Sequence, residues 1–223
     1  MSINSYILVE NLSILSKNKE KIITAALKLF NQNGLVNVRL QHIADEAFVS
    51  VGNLAYHYSN KEAILSTVYK ELTKQQKNLL AEYRIVPLFD NLNRLFQDTF
   101  RLQQQYIFFY LDTLEIIRTY PEIGIIHQQH ITFQVGQLKT MLDFNMSRGA
   151  LITEPQVDIY NKLAIQIWMT IDYWHNQQLV RGETEQLEKN YLEDIWTLLI
   201  PYFTKMGKQE YEQMLQKPYD FYF

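Results

Sequence analysis

The sequence predicts an all-α protein, and two observations support this fold class. Apolar residues recur every three or four positions through most of the chain, and no run alternates apolar and polar residues for long enough to predict a strand. Glycine is scarce, with 7 residues in 223, and glycines and prolines fall mainly between the periodic segments, as is usual for helix ends. We therefore expect helices joined by short loops.

The first predicted helix covers Lys19 to Gln32. Its apolar residues share one face at helical spacing, and they are Ile22, Ile23, Ala26, Leu29 and Phe30. Lys21, Lys28 and Asn31 lie on the opposite face, and Gly34 follows as a stop signal. This pattern predicts an amphipathic helix with one buried side.

Two short helices are predicted next. Asn37 is a candidate N-cap for the second helix, whose narrow apolar stripe consists of Leu40, Ile43, Ala44 and Ala47. Ser50 can cap a third helix that opens with Val51, Gly52 and Asn53. Two short helices joined by a tight turn, the second slim at its start, are typical of a helix-turn-helix unit that enters the DNA major groove.

The remainder of the chain is also predicted to be helical. The expected helices are Lys61 to Arg84 behind an Asn60 cap, Leu88 to Gln104, Tyr106 to Thr119, His127 to Arg148, Pro155 to about Val180, a helix capped by Thr184 and running to about Tyr202, and Lys208 to Gln216. The signals between them are Pro121 as a breaker, Gly149 as a C′ residue, a Thr153 and Gln156 capping box, and Gly182 as a stop.

Residues 18–65 resemble the N-terminal domain of the tetracycline-repressor (TetR) family of bacterial regulators. The resemblance is ungapped and rests on Ile22, Ile23, Ala25, Ala26, Leu27, Leu29 and Phe30, then Gly34, Ile43, Ala44, Val49, Ser50, Gly52, Leu54, His57, Tyr58, Lys61 and Glu62. It implies an N-terminal three-helix DNA-binding domain followed by a helical ligand-binding and dimerisation domain.

We expect four segments on this basis. They are an N-terminal arm at 1–17, the helix-turn-helix DNA-binding head at 18–65, an effector-binding and dimerisation domain at 66–217, and an aromatic tail at 218–223. The arm is expected to be loosely helical or extended. The boundary between head and body is expected within or after the fourth helix.

The resemblance also implies which residues meet DNA. Ser50, His57 and Lys61 are expected to contact phosphates, whereas Gln41, Val51, Asn53 and Tyr56 face base edges or sugars, and Arg39 belongs to the same predicted set. In this scheme Lys61 is the phosphate contact at the start of the fourth helix.

Two positions depart from the family pattern. Phe48 stands where the family usually has glycine in the turn, so either the turn differs locally or Phe48 carries a conformational cost and packs elsewhere. Ala55 stands where the family usually has tyrosine, so a contact that the family often makes at this position is missing. The sequence leaves open whether the neighbouring Tyr56 replaces that contact.

Charge is unevenly distributed along a chain whose net formal charge is −3. Residues 17–84 hold ten Lys and Arg against six Asp and Glu, whereas residues 85–223 hold eleven against seventeen. Because salt screens charges over about 8 Å, the local basic excess governs attraction to phosphate. Lys70, Lys74 and Lys77 can equally form an ordinary solvated helix face.

Composition narrows the remaining classes of protein. With no cysteine there is neither a disulfide framework nor a thiolate site, which suits a reducing cytoplasm. No stretch approaches the roughly 18 apolar residues of a membrane span, and Met1 to Ser16 lacks the features of a signal peptide. We expect a cytoplasmic protein with no membrane partner.

Two stretches are apolar nearly all round. One starts at Tyr106 and continues through Ile117, and the other starts at Leu163 and continues to Trp174. Such helices must be buried on more than one side. For the helix at 155–180 we expect the second partner to be the same helix of another subunit, beside the helix at 184–203, and the TetR resemblance implies the same four-helix dimer bundle.

Polar residues within these apolar helices suggest an effector pocket. The predicted ligand-binding residues are Phe109, Asp112, Glu115, His130, Trp168 and Asp172. Alternatively, Asp112, Glu115 and Arg118 satisfy one another or face water, and Trp168 and Phe109 belong to the core. His127 and His130 have metal-ligand spacing, but no third ligand is visible, so neither a metal nor another cofactor is expected.

Other functional classes find little support. The sequence has no Gly-rich phosphate loop, no Gly-x-Ser-x-Gly and no His-Glu-x-x-His, so no enzymatic activity is expected. A helical protein-interaction module that has lost DNA binding remains the alternative, because of Ala55. The preferred interpretation is a homodimeric repressor that binds a double-stranded operator and leaves it when a small-molecule effector spreads the two heads apart.

Overall fold

The computed structural model describes residues 3–183, 185 and 187–216, with side chains from Lys17 onward. The helices are α1 Ile3–Asn33, α2 Leu40–Glu46, α3 Val51–His57, α4 Lys61–Tyr83, α5 Phe89–Gln105, α6 Ile107–Thr119, α7 Pro121–Ser147, α8 Ile159–Val180, α9 Glu188–Leu199 and α10 Lys205–Gln216. A 3₁₀ turn at Ile200–Tyr202 follows α9. The described residues contain one isolated β-bridge, between Leu151 and Phe203, and no named strand. The all-α fold class is therefore confirmed.

The chain divides into two compact units. Unit 1 comprises Met1–Thr73 and Gln105–Gly124, and unit 2 comprises Lys74–Gln104 and Ile125–Phe223. The division falls within α4, and it assigns α6 to the same unit as the helix-turn-helix. Because α6 lies well beyond the head in sequence, its place in unit 1 was not apparent from helix periodicity.

The core of unit 1 combines α1 to α4 with α6. Its fully buried side chains are Ile22, Ala26, Phe30, Ile43, Ala44, Leu54, Ile64, Leu65 and Ile116. The first five belong to the apolar stripes predicted for the first two helices, whereas Ile23, Leu29 and Leu40 of those stripes are only half-buried. Asn31 connects α1 to the start of α6, because its amide nitrogen donates to Gln105 O at 2.8 Å and its Oδ1 accepts from Phe108 N at 3.2 Å. The Asn31 side chain thus satisfies a backbone donor at the N-terminus of α6.

An aromatic cluster dominates the core of unit 2. Phe89 packs on Trp196 and Phe203 with ring centroids 5.1 and 5.0 Å apart, and Phe100 packs on Tyr191 at 5.1 Å. Rings at these separations contribute about 0.5–1.5 kcal/mol per pair beyond area burial. The cluster joins α5 to α9 and to the segment after α9.

Several predicted caps are confirmed. Ser50 Oγ accepts from Asn53 N at 3.1 Å, and Asn60 Oδ1 accepts from Ala63 N at 2.8 Å. Gly149 and Gly182 have φ of +81° and +76°, the left-handed conformation that favours glycine after a helix. These ends were predictable because each is encoded by a single local residue.

Other predicted helix starts were wrong. Helix α1 begins at Ile3 rather than Lys19, with neither proline nor glycine in between to stop it. The N-cap of α2 is Arg39, while Asn37 donates instead to Asn33 O at 2.8 Å. Helix α7 begins at Pro121, since a proline is tolerated in the first turn of a helix.

The predicted Thr153 and Gln156 capping box does not open α8. That helix begins at Ile159 after Asp158, whose φ is +69°, and the Glu154 carboxylate accepts from Tyr160 N at 3.0 Å. Glu154, the residue after Thr153, thus supplies the local acceptor instead. Helix α10 begins at Lys205, three residues before its predicted start. Thr184 and the aromatic tail at 218–223 lie outside the described residues.

The apolar side of α8 is covered within its own unit. Ile167, Ile171 and Trp174 are 1%, 8% and 4% exposed, and Leu199 on α9 is 2% exposed. The expectation that the helix needs a second subunit to cover these residues was wrong, because the core of unit 2 encloses them. Among the described residues, no helix meets the length and apolarity needed to span a membrane.

Candidate functional site

The helix-turn-helix is held by buried anchors and a closed turn. Leu54 of α3 is fully buried, and the turn is closed by hydrogen bonds from Phe48 N to Asp45 O at 3.1 Å and from Val49 N to Ala44 O at 3.0 Å. The Ser50 hydroxyl caps α3. Since the anchor and the cap fix the inner side of α3, its opposite side is free to face a partner.

The exposed side of α3 carries most of the predicted base-contacting residues. Tyr56 is 74% exposed and Val51 is 39% exposed, and Ala55 and Gly52 beside them are also exposed. Asn53 is half-buried, and its Oδ1 lies 3.4 Å from the amide nitrogen of Asn18. This face therefore combines apolar, aromatic and amide groups on a slim helix, which suits the edges of base pairs.

Helix α2 contributes two further predicted contacts. Arg39 and Gln41 are both exposed at the start of α2, and the Gln41 amide donates to Asp45 at 2.7 Å. The Arg39 backbone N–H donates to His42 Nδ1 at 3.3 Å. The guanidinium of Arg39 therefore stands at an exposed helix start, where phosphate oxygens are favoured partners.

Lys61 occupies an internal position that the sequence did not indicate. Its half-buried ammonium donates to Leu35 O at 3.0 Å and to Val38 O at 3.1 Å. Burial lowers the pKa of Lys61 from its ordinary value. Two of its three N–H groups thus hold the loop between α1 and α2.

His57 is also less accessible than predicted. Its Nε2 is buried and has no hydrogen-bond partner within the described chain, and its ring meets Tyr56 edge-on at 5.2 Å between centroids. In this conformation Nε2 does not reach solvent. Contact between a phosphate and His57 Nε2 would require the ring to move.

Phe48 carries the conformational cost that one alternative expected, but it does not pack elsewhere, so that part of the expectation was wrong. Its φ is +56°, and its side chain is 92% exposed. The turn therefore keeps the left-handed conformation that suits glycine, and the ring gains almost no burial in return.

Three predicted ligand residues lie in unit 1, on α6. Phe109 is buried and stacks on Tyr69 at 4.8 Å, while Asp112 Oδ2 accepts from Leu35 N at 3.3 Å. Glu115 is exposed and accepts from Thr119 at 3.1 Å. Glu115 thus faces water, as the alternative interpretation expected, whereas the partner of Asp112 is a backbone N–H of the loop after α1 rather than Glu115 or Arg118.

The other three predicted ligand residues lie in unit 2, which contains a cavity of about 30 Å³. It is lined by Gln76, Leu80, Leu95, Phe96, Thr99, Gln134, Leu138, Trp168 and Ile171. Of the predicted residues only Trp168 lines this cavity. Sequence reasoning missed Gln76, Thr99 and Gln134, because polar residues at helical positions are usually solvated and nothing local marks them as internal.

His130 lies behind the cavity. Its Nε2 is 2.7 Å from Oε1 of Gln76, which does line the cavity, and burial lowers the pKa of His130 to about 4. Burial also lowers the pKa of His127 to about 4. Both imidazoles are therefore neutral at pH 7. Among the residues that the structure describes, no group of three or more His, Cys, Asp or Glu could hold a metal ion.

Asp172 is buried on α8 outside the cavity lining. Its side chain is surrounded by protein, and this burial raises the pKa of Asp172 to about 7. Burial raises the pKa of Tyr191 as well, and the charge of Asp172 raises it further. The Tyr191 hydroxyl is buried without a hydrogen-bond partner in the described chain. Asp172 and Tyr191 are thus two buried titratable side chains in the core of unit 2.

Comparison with known proteins covers both parts of the chain. Residues 22–68 match a family model described as bacterial regulatory proteins, tetR family, and residues 69–211 match one described as bacterial transcriptional repressor. The regulator RutR of Escherichia coli K12 is 40% identical over 57 residues, which is 26% of this chain and 27% of RutR. The match thus spans about a quarter of that relative's length.

Solved structures extend the similarity to the whole fold. A TetR-family regulator from Marinobacter aquaeolei VT8 superposes with a TM-score of 0.78 at 22% identity, covering 90% of this chain and 98% of that one. SmeT, the repressor of a multidrug efflux pump of Stenotrophomonas maltophilia, superposes with a TM-score of 0.64 at 17% identity, covering 84% and 91%. At these identities the likeness concerns the fold.

Proposed function

The chain belongs to the TetR family of bacterial transcriptional regulators, and from this premise we propose that it represses transcription as a homodimer bound to a DNA operator. The observation that carries the proposal is the exposed side of α3, where Val51, Asn53 and Tyr56 follow the Ser50 cap. A short helix anchored on one side and exposed on the other suits entry into the major groove.

Two-fold assembly supports this mode of binding. Paired recognition helices can meet two half-sites about one helical turn apart. The exposed side of α8 offers a candidate dimer surface, because Ile165 and Met169 are 39% and 51% exposed there, one helical turn apart. Their burial against a second copy would remove apolar surface from water.

We further propose that a small molecule releases the protein from its operator, and that this occurs in the cytoplasm, where bacterial DNA is found. Two neighbours in fold support this proposal. One is SmeT, the repressor of a multidrug efflux pump, and the other is a gamma-butyrolactone receptor, which superposes with a TM-score of 0.65 at 16% identity and covers 91% of this chain and 99% of that one. In this chain the candidate effector site is the apolar cavity of unit 2. For release, the ligand must bind the DNA-free protein more tightly than it binds the operator-bound protein. The ratio of these two ligand affinities equals the factor by which the ligand lowers affinity for the operator.

Selection of bound fragments from genomic DNA, followed by sequencing, tests operator binding. We expect a recurring site with two-fold symmetry, and we expect Asn53→Ala and Tyr56→Ala to relax its sequence preference. Asn190→Ala, on the exposed side of α9, is the matched control and should leave the site unchanged. Absence of any enriched sequence at low salt would exclude the proposed operator binding and favour the protein-interaction alternative.

A reporter placed behind the selected site tests the sign of regulation. Expression of the wild-type chain should lower reporter output, and Tyr56→Ala should restore it. Higher output with the wild-type chain would identify an activator instead.

A further inference from the structure

Asn18 of α1 is bonded directly to α3. Its amide nitrogen donates to Oδ1 of Asn53 over 3.4 Å, between residues that are 35 positions apart in sequence. Because α1 begins at Ile3, Asn18 lies inside a helix rather than at the end of an arm. Helical backbone on both sides therefore fixes the place from which Asn18 reaches α3, and both helices belong to unit 1.

The helical position of Asn18 directs its side chain towards the buried side of α1. Asn18 precedes Ile22 by four residues and Ala25 by seven, and these two residues are 0% and 6% exposed. Residues at this spacing share one face of a helix. Asn18 itself is half-buried, so it extends this stripe towards α3.

The contact leaves Asn53 with a free donor. A side-chain amide carries one acceptor oxygen and one NH₂ group with two donors. The oxygen of Asn53 accepts from Asn18, whereas its Nδ2 donates to no group in the described chain and is not buried. With its oxygen turned towards α1, Asn53 therefore presents its NH₂ group to an external partner.

An amide held in this orientation discriminates between base pairs in the major groove. Guanine presents two acceptors there, N7 and O6, whereas adenine presents the acceptor N7 beside the donor N6. The bidentate pair that asparagine forms with adenine uses both its oxygen and its NH₂ group. Because the oxygen of Asn53 is engaged by Asn18, its NH₂ group suits guanine better than adenine.

We propose that Asn18 is a positioning residue for DNA recognition, which holds the amide oxygen of Asn53 so that the NH₂ group of Asn53 reads guanine in the operator. The inference rests on the proposed operator binding. It adds the base pair that Asn53 prefers and a residue outside the helix-turn-helix that sets this preference. Asn18 acts through Asn53 and does not itself have to touch DNA.

Selection of bound DNA with the wild type and with Asn53→Ala identifies the base pair that Asn53 reads, because the preference at that position relaxes in the variant. We expect a G·C pair there in the wild type. Fluorescence anisotropy titrations with duplexes that carry G·C or A·T at this position should give about a 2- to 12-fold preference for G·C, as for one net hydrogen bond. A wild-type preference for A·T, or no position that relaxes in Asn53→Ala, would overturn the proposal.

Asn18→Ala tests the positioning role. It frees the oxygen of Asn53, which can then pair with adenine through both amide groups, so the preference for G·C should disappear or reverse. Gln32→Ala, exposed elsewhere on α1, is the matched control and should keep the wild-type ratio of affinities. A purely structural role for Asn18 would weaken binding to both duplexes equally, and that result, like an unchanged ratio, would overturn the assignment.

The same experiment distinguishes failure of this inference from failure of the proposed function. If the wild-type chain enriches no sequence, operator binding is refuted and the inference falls with it. If an operator is enriched but the affinity ratio is the same in the wild type and in Asn18→Ala, only the positioning role is refuted.

Discussion

The ammonium of Lys61 donates a hydrogen bond to the backbone carbonyl of Leu35 over 3.0 Å, and the same nitrogen donates to Val38 O at 3.1 Å. The first residue of α4 thus satisfies two carbonyls in the loop between α1 and α2. A lysine assigned to DNA contact from its family position therefore also has a structural role within unit 1.

Lys61→Met should consequently destabilise the protein and weaken DNA binding together. It removes two charge-assisted hydrogen bonds, and because Lys61 is only half-buried we expect a loss of about 1–3 kcal/mol in the free energy of unfolding. If the remaining N–H meets a phosphate, affinity for all sequences falls and the salt slope of binding decreases by about one. Denaturant unfolding and salt titrations measure the two effects.

Lys70→Met is the control for the charge change, since Lys70 lies exposed on the same helix. It should leave stability nearly unchanged. An unaltered salt slope in Lys61→Met would remove Lys61 from the interface, and unaltered stability would contradict the structural role.

Phe48→Gly should stabilise the protein. Phe48 has a φ of +56° and a side chain that is 92% exposed, so glycine relieves backbone strain while little ring burial is lost. We expect a gain of about 1 kcal/mol in the free energy of unfolding. Phe48→Ala retains the strain and should change stability little, so a comparison of the two variants in urea isolates the backbone contribution. A loss of stability in Phe48→Gly would show that the ring is needed for packing.

Asp172→Asn should alter the pH dependence of stability. Burial raises the folded-state pKa of Asp172 to about 7, above its unfolded value near 4, so the folded state retains a proton that the unfolded state releases. Its stabilising contribution is full below about pH 4 and is lost as the pH rises to about 7, by an amount on the order of 3–4 kcal/mol. Because Asp172→Asn removes the ionisable carboxyl, the unfolding free energy of the variant should not show this decrease as the pH rises.

The measurement is the difference in unfolding free energy between wild type and Asp172→Asn at pH 5 and at pH 8. His127 and His130 have lowered pKa values and contribute with the opposite sign, but they are common to both proteins and cancel in the difference. Asn190→Ala, which removes no titratable group from the exposed side of α9, should give a difference that does not vary with pH. A pH-independent difference for Asp172→Asn would indicate an ordinary carboxylate pKa.

Ile165→Glu combined with Met169→Glu should produce a folded monomer. Both side chains are exposed on α8, so charges there oppose burial against a second copy without disturbing the core. Ile171→Glu is the contrasting variant, because Ile171 is only 8% exposed and a charge there should unfold the chain. Sedimentation and circular dichroism distinguish the two outcomes. A wild-type chain that is monomeric at micromolar concentration would refute the proposed homodimer.

The sequence alone was sufficient to predict the all-α class and most helices, because helical spacing and single-residue signals act locally. Ser50, Asn60, Gly149 and Gly182 each specify a helix end through their own side chain or φ. The helix-turn-helix was predictable for the same reason, since its short helices, cap and turn lie within one stretch of chain.

Tertiary structure decided the features that depend on residues distant in sequence. It packed α6 with α1 through Asn31 and covered Ile171 and Leu199 within unit 2. It also bonded Lys61 to Leu35 and Val38 and left Trp168 Nε1 buried without a hydrogen-bond partner in the described chain. Periodicity shows that a residue is buried, but only the packed neighbours determine whether its hydrogen bonds and its charge are satisfied.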